Sequence, residues 1–141
     1  MSKFADTEQI ILLGIALAIG LLIGVERGWR SREAKEGERI AGLRTYGLTG
    51  LLGGGAGILS QYRGAVAFVL VFLSFTAAVT VAYIMRRKTS EDVSITGLVS
   101  LLLTFVLGSL ATLDHVNLAA SAAVVTALLL RFKDVLHGWL R

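Results

Sequence analysis

The sequence predicts an all-α integral membrane protein with about five transmembrane helices, N-terminus out and C-terminus in, glycine-rich helix packing and an amphipathic C-terminal helix. Three observations lead there. The chain is 55% hydrophobic and 17% charged, too little polar surface to cover a water-soluble domain without large apolar patches. Its uncharged residues form long runs, and its Lys and Arg fall in short blocks between them. Sixteen glycines and no proline suit straight helices that approach closely while each backbone stays hydrogen-bonded within itself. A length of 141 residues points to a single transmembrane domain over 1–141.

The helices are expected at about 8–26, 45–62, 64–86, 93–113 and 116–136, from runs near the 20 or so residues that span a bilayer. In the first, Ala16-Leu17-Ala18 resembles a signal-peptidase site. It lies inside the apolar run with no polar boundary after it, so the segment is expected to stay as a helix. Ala16, Gly20 and Gly24 form a small-residue row on this helix. Residues 27–44 then form a charged loop that, with its flank, holds Arg27, Arg30, Arg32, Lys35, Arg39 and Arg44 beside Glu26, Glu33, Glu36 and Glu38.

In the second helix Gly47, Gly50, Gly54, Gly57 and Gln61 recur at three and four residues, a row suited to packing against the first helix or a second subunit. The Gly triplet at 53 to 55 has no Lys-Ser or Lys-Thr after it, so it is no phosphate loop. The third helix carries Phe68, Phe72 and Phe75 among valines and offers no chemistry. Along the fourth, Thr96, Ser100, Thr104, Gly108 and Thr112 follow at intervals of four. Hydroxyls so spaced line a wet path or bond back to the i−4 carbonyl, and Asn117 and Ser121 extend that surface from the fifth helix. The fifth run continues without a breaker into a basic tail, 131–141. There Phe132, Val135, Leu136, Trp139 and Leu140 make an amphipathic face. Either the helix extends beyond the bilayer, or the tail lies on the surface as an interfacial anchor, which the spacing favours.

Orientation follows from the basic residues. With the N-terminus outside, twelve Lys and Arg lie on the cytoplasmic side and only Lys3 and Arg63 outside, as the positive-inside tendency requires. So strong a bias argues against insertion in both directions, and any homo-oligomer, a dimer first, should be parallel.

A net charge of +4 and a pI near 9.9 do not indicate nucleic acid, because the charges are short topogenic blocks rather than an aromatic-interleaved basic surface. No cysteine is present, which excludes disulfides and thiol chemistry. No Ser, His and Asp constellation, carboxylate pair or HExxH appears, so no enzymatic activity and no bound cofactor are expected. The candidate functional residues are instead ionisable groups at the membrane edge. Glu26, at the end of the first helix, attracts a cation, or pairs with Arg44 or Arg30 to hold the loop against the bundle, or is simply a solvated charge. Gly42 relaxes the backbone before the second helix, Thr45 is placed to cap it, and Arg44 stands at the unfavourable end of its dipole, which calls for an anionic partner. Asp114 and His115 could bind a divalent ion or respond to pH, but two ligands make no metal site and a turn is the plainer role. No metal site is assigned.

Two motifs, Leu-Leu-Ile-Gly-Val-Glu-Arg-Gly-Trp-Arg (21 to 30) and Ala-Gly-Leu-Arg-Thr-Tyr-Gly-Leu-Thr-Gly-Leu-Leu-Gly (41 to 53), resemble the MgtC/SapB family of bacterial membrane proteins. The likeness covers about the first 60 residues and is strongest to the N-terminal half of larger proteins with an MgtC-like domain. It implies an inner-membrane protein of magnesium homeostasis, acid stress and adaptation. Glu26, Arg27, Gly42, Leu43, Arg44 and Thr45 match its motifs and inherit their importance; Asp114 and His115 match none. The soluble C-terminal domain of many members is expected to be missing. Two functions stay open, and the polar face of the fourth helix together with a carboxylate at the membrane edge favours the first. One is transport of Mg²⁺, H⁺ or a small solute by a parallel homo-oligomer, with Glu26 at the mouth and Thr96, Ser100, Thr104 and Thr112 lining the path. The other is a non-transporting regulator that binds a membrane protein, such as ATP synthase or a transporter, or anionic lipid through its charged loop. Mg²⁺ enters only as substrate or effector.

Overall fold

The computed structural model describes residues 3–30, 42–89 and 95–140, with side chains described over 7–26, 42–85 and 97–129. All of the described secondary structure is helical: α1 (Lys3–Arg30), α2 (Leu43–Arg63), α3 (Ala65–Thr89), α4 (Ile95–Thr112) and α5 (Val116–Leu140). Thr7–Glu26 of α1 and Ala65–Met85 of α3 are long and apolar enough to cross a membrane, while Gly97–Thr112 and Val116–Leu129 are shorter apolar stretches.

α1 runs past the expected end near residue 26 to Arg30, because Glu, Arg and Trp are tolerated in a helix, no proline intervenes, and the single Gly28 costs only about 1 kcal/mol. α2 starts earlier than expected. The Gly42 carbonyl accepts from the Tyr46 N–H at 3.1 Å, which makes Gly42 the N-cap residue, extended at φ −106° and ψ −172° and without a side-chain cap. Thr45 is therefore not the cap; it lies in the first turn, where its carbonyl accepts the Thr49 hydroxyl at 2.7 Å. Arg44, likewise, belongs to the first turn rather than preceding it. α5 is one helix through Leu140, so the tail residues 131–140 prolong it without a break.

Only Gly64 joins α2 to α3. Its φ of +88° with ψ of 172° is a region that only glycine enters without strain. Its N–H bonds to the Ser60 carbonyl at 2.8 Å and its carbonyl accepts from Ala67 at 3.1 Å. Between α4 and α5 the same task falls to Asp114, at φ +67°. The His115 N–H reaches the Leu110 carbonyl at 3.0 Å, the six-to-one bond of a Schellman ending, with Asp in the place glycine usually takes.

α2 is the centre, touching α1, α3 and α4. Its buried residues are Tyr46, Gly47, Thr49, Gly50, Gly53, Gly54, Ala56 and Gly57, so the face it buries is mostly bare backbone. Neighbours close onto that backbone. A methyl on Gly20 would strike the Tyr46 carbonyl, one on Gly50 the Ala16 carbonyl, one on Gly53 the Phe105 carbonyl, and one on Gly108 the Gly50 carbonyl. Where lipid replaces water, such contact and interhelical hydrogen bonds supply the association energy that hydrophobic burial would supply in solution. Phe105, fully buried, ties in α3 as well: its ring lies 5.1 Å from Phe75, stacked, and 5.3 Å from Phe72, edge-on. Otherwise α3 stands at the periphery, with Tyr83 alone buried among its described side chains.

Candidate functional site

The helices alternate in direction. Gln9 of α1 donates to the Tyr62 hydroxyl of α2 at 3.2 Å, and Gln61 donates to the Thr112 carbonyl of α4 at 3.2 Å, which fixes one end of the bundle. At the other end meet the C-terminal turns of α1, α3 and α5 and the N-terminal turns of α2 and α4. Arg27, Arg30, Arg44, Arg86, Arg87 and Lys88 therefore belong to one end, and Lys3 and Arg63 to the opposite one. The segment 31–41 lies outside the described residues, as do the side chains of Arg27, Arg30 and Thr96 and of the tail 131–141.

At the basic end the two family-like motifs are in contact. A Cβ on Gly24 would lie 2.9 Å from the Tyr46 Cβ and 3.2 Å from the Leu43 Cα, so the last turns of α1 meet the first turn of α2 at backbone range. Tyr46, 1% exposed, is wedged behind this junction and donates its hydroxyl toward the Gly97 carbonyl of α4 at 3.4 Å. Glu26 is half-buried and engaged. Arg44 and Thr45 are exposed. The junction thus brings Glu26, Gly42, Arg44 and Thr45 to one end.

The α4 hydroxyls lie in the seam against α2. Ser100, Thr104 and Thr112 are buried. Thr104 donates to the Ser100 carbonyl at 2.6 Å. Thr112 donates to the Gly54 carbonyl at 2.8 Å, with the Ser109 carbonyl a second acceptor at 3.1 Å. Gly57 is held so close to the Thr112 hydroxyl that a side chain there would displace it.

At the opposite end a pocket of about 480 Å³ is lined by Glu8 and Leu12 of α1 and by Asp114, His115, Asn117 and Leu118 around the start of α5. It brings Glu8 to the Asp114 and His115 turn, a neighbour that sequence reasoning missed because 106 residues separate them. No group of three or more His, Cys, Asp or Glu side chains arranged to hold a metal ion occurs among the described residues. Sequence reasoning also passed over Tyr46, Gly53 and Phe105. Tyr46 and Gly53 carried a signal in lying within the second motif, where a bulky hydroxyl-bearing ring precedes Gly47, Gly50 and Gly53.

The sequence model of the MgtC family matches residues 13–139. No curated protein and no solved structure matches the chain. The match extends the likeness from the first two helices across the seam and into α5, and with the two membrane-length apolar helices it points to a membrane protein. On that span, the chain belongs to the MgtC family.

Proposed function

We propose that this chain is a multi-pass bacterial inner-membrane protein of magnesium-linked homeostasis that acts as a regulator, by contact through the basic end of its bundle. One observation carries the reading: the hydroxyls that a path through the bundle would use are committed to backbone carbonyls, Thr104 to Ser100 and Thr112 to Gly54. A conduction path needs polar groups that can replace an ion's hydration shell. In this seam α1, α2 and α4 are packed backbone to backbone instead. The basic end, by contrast, gathers six cationic residues from three helices, a surface suited to an acidic partner. Five spans with the N-terminus outside put that end in the cytoplasm, in keeping with the basic-residue bias.

Transport by a parallel homo-oligomer is the second reading. The polar pocket of Glu8, Asp114, His115 and Asn117 at one end and half-buried Glu26 at the other favour it, with the path between subunits. Flux separates the two. Purified protein in liposomes is tested for Mg²⁺ and H⁺ movement beside Glu26→Gln and Arg44→Ala variants that remain folded. The regulator reading expects no flux above empty liposomes for either ion. Flux that vanishes in Glu26→Gln would overturn it and give the carboxylate a coupling role.

A further inference from the structure

The outer wall of the bundle between α2 and α3 is an open apolar groove of about 540 Å³, lined by Leu48, Leu51, Leu52, Gly55, Leu59 and Val71. Leu48, Leu52 and Leu59 are 60%, 43% and 42% exposed. At 100° per residue these α2 positions fall within about 80° of Arg44 around the helix, so the exposed Arg44 stands directly above the groove's α2 wall. From Arg44 to Gly55 is about 16 Å at 1.5 Å per residue, close to the depth of one leaflet of a hydrocarbon core about 30 Å thick.

Arg44 also lies in the first turn of α2, whose N-cap Gly42 provides no side-chain hydrogen bond and whose first turn contains no acidic residue. A helix start of that kind favours an anion, and a cation placed there reinforces the preference. α3, running antiparallel, brings Arg86, Arg87 and Lys88 to the same end. Anion-binding chemistry at the rim and hydrocarbon chemistry one leaflet deep meet in one molecule type. We propose that the α2 and α3 groove is a binding site for an anionic phospholipid, with the phosphate at Arg44 and the start of α2, and an acyl chain laid along Leu48, Leu52 and Gly55 to Leu59. The site does not depend on whether the protein regulates or transports.

Gly55 makes the test clean, because a Cβ there meets nothing within 4 Å; a larger side chain fills the groove without pressing on the fold. Delipidated protein in detergent is titrated with phosphatidylglycerol and, separately, with phosphatidylcholine of the same acyl chains, and bound lipid is read by native mass spectrometry. Circular dichroism and size-exclusion chromatography monitor helicity and oligomeric state. Wild type should bind phosphatidylglycerol the more tightly. Arg44→Gln should weaken phosphatidylglycerol about fivefold, toward phosphatidylcholine, by loss of one cation at the surface. Gly55→Leu should weaken both lipids. Phosphatidylglycerol bearing a diazirine on its chain should label wild type within 48–59 or at Val71, a readout that needs no variant. Equal binding of the two lipids by wild type, no effect of Gly55→Leu, or labelling confined to other helices would each overturn the proposal. So would Gly55→Leu converting a dimer to a monomer with lipid binding intact, which would give the groove to a second copy of the chain.

Discussion

Gly53 and Gly55 are two residues apart on one helix, and their surroundings differ sharply. A Cβ on Gly53 would lie 2.8 Å from the Phe105 carbonyl carbon and 3.0 Å from its Cα, besides striking the oxygen, whereas one on Gly55 meets nothing within 4 Å. The obstacle at Gly53 is backbone, so a methyl is accommodated only if α2 and α4 separate, by roughly 1 Å to restore ordinary contact. A gap of that size forfeits about half the attraction of each atom pair across the seam. With about twenty pairs at about 0.15 kcal/mol each, the loss is about 1.5 kcal/mol. The Thr112 to Gly54 hydrogen bond, 2.8 Å long, would be stretched beyond bonding range, adding about 0.6 kcal/mol. Replacing glycine by alanine also favours the helix by about 1 kcal/mol at each site, a gain that cancels in the comparison. Gly53→Ala should therefore be less stable than Gly55→Ala by about 2 kcal/mol, measured as reversible unfolding in mixed micelles titrated with dodecyl sulfate. Equal stabilities within about 0.5 kcal/mol would refute the backbone seam as the source of cohesion.

Three further outcomes follow from the geometry. Thr112→Val keeps the side chain's shape and removes its hydroxyl, so it should cost about 0.6 kcal/mol and no more than about 1.7 in the same unfolding titration; no cost would mean the bond to Gly54 contributes nothing. Gly64→Ala places a Cβ at φ +88° and should cost about 1–3 kcal/mol, although the position is open, so a neutral result would contradict the one-residue link. Asp114→Gly should leave the protein equally stable or gain up to about 1 kcal/mol, since glycine suits φ +67° better. A marked loss of stability would show that the Asp114 carboxylate, rather than the turn, is what the site needs.

The helices were legible because the apolar runs are bounded by charge or glycine and contain no proline, and runs of that length admit few other forms. Their starts were less so. Thr45 reads as a cap for α2 by residue type, but the Gly42 carbonyl begins the hydrogen-bond ladder one turn sooner, and the carbonyl is common to every residue. The glycine row of α2 indicated a packing face, yet Gly53 belongs to that face and was outside the row. Periodicity of three and four locates a stripe to within a residue and leaves open which member of a triplet touches a neighbour. Spacing also allowed the α4 hydroxyls two fates: Thr104 takes the local one, back to the Ser100 carbonyl, whereas the Thr112 bond to Gly54 depends on α2 lying alongside, a long-range fact. The pocket joining Glu8 to Asp114 and His115 is of the same kind, since it exists only once α1 and α5 are neighbours.

The one-residue link at Gly64 has a consequence for biogenesis. With its N–H and carbonyl both bonded within the turn, it presents no unsatisfied backbone to the membrane, and it leaves no slack for α2 and α3 to enter separately. On the five-span reading proposed above, the two helices cross as a hairpin whose leading tip carries a single cation, Arg63. A tip with one charge is far easier to translocate than the end holding Arg44, Arg86, Arg87 and Lys88. A hairpin closed by one residue therefore delivers the groove between α2 and α3 already formed, its basic rim at the end away from the tip.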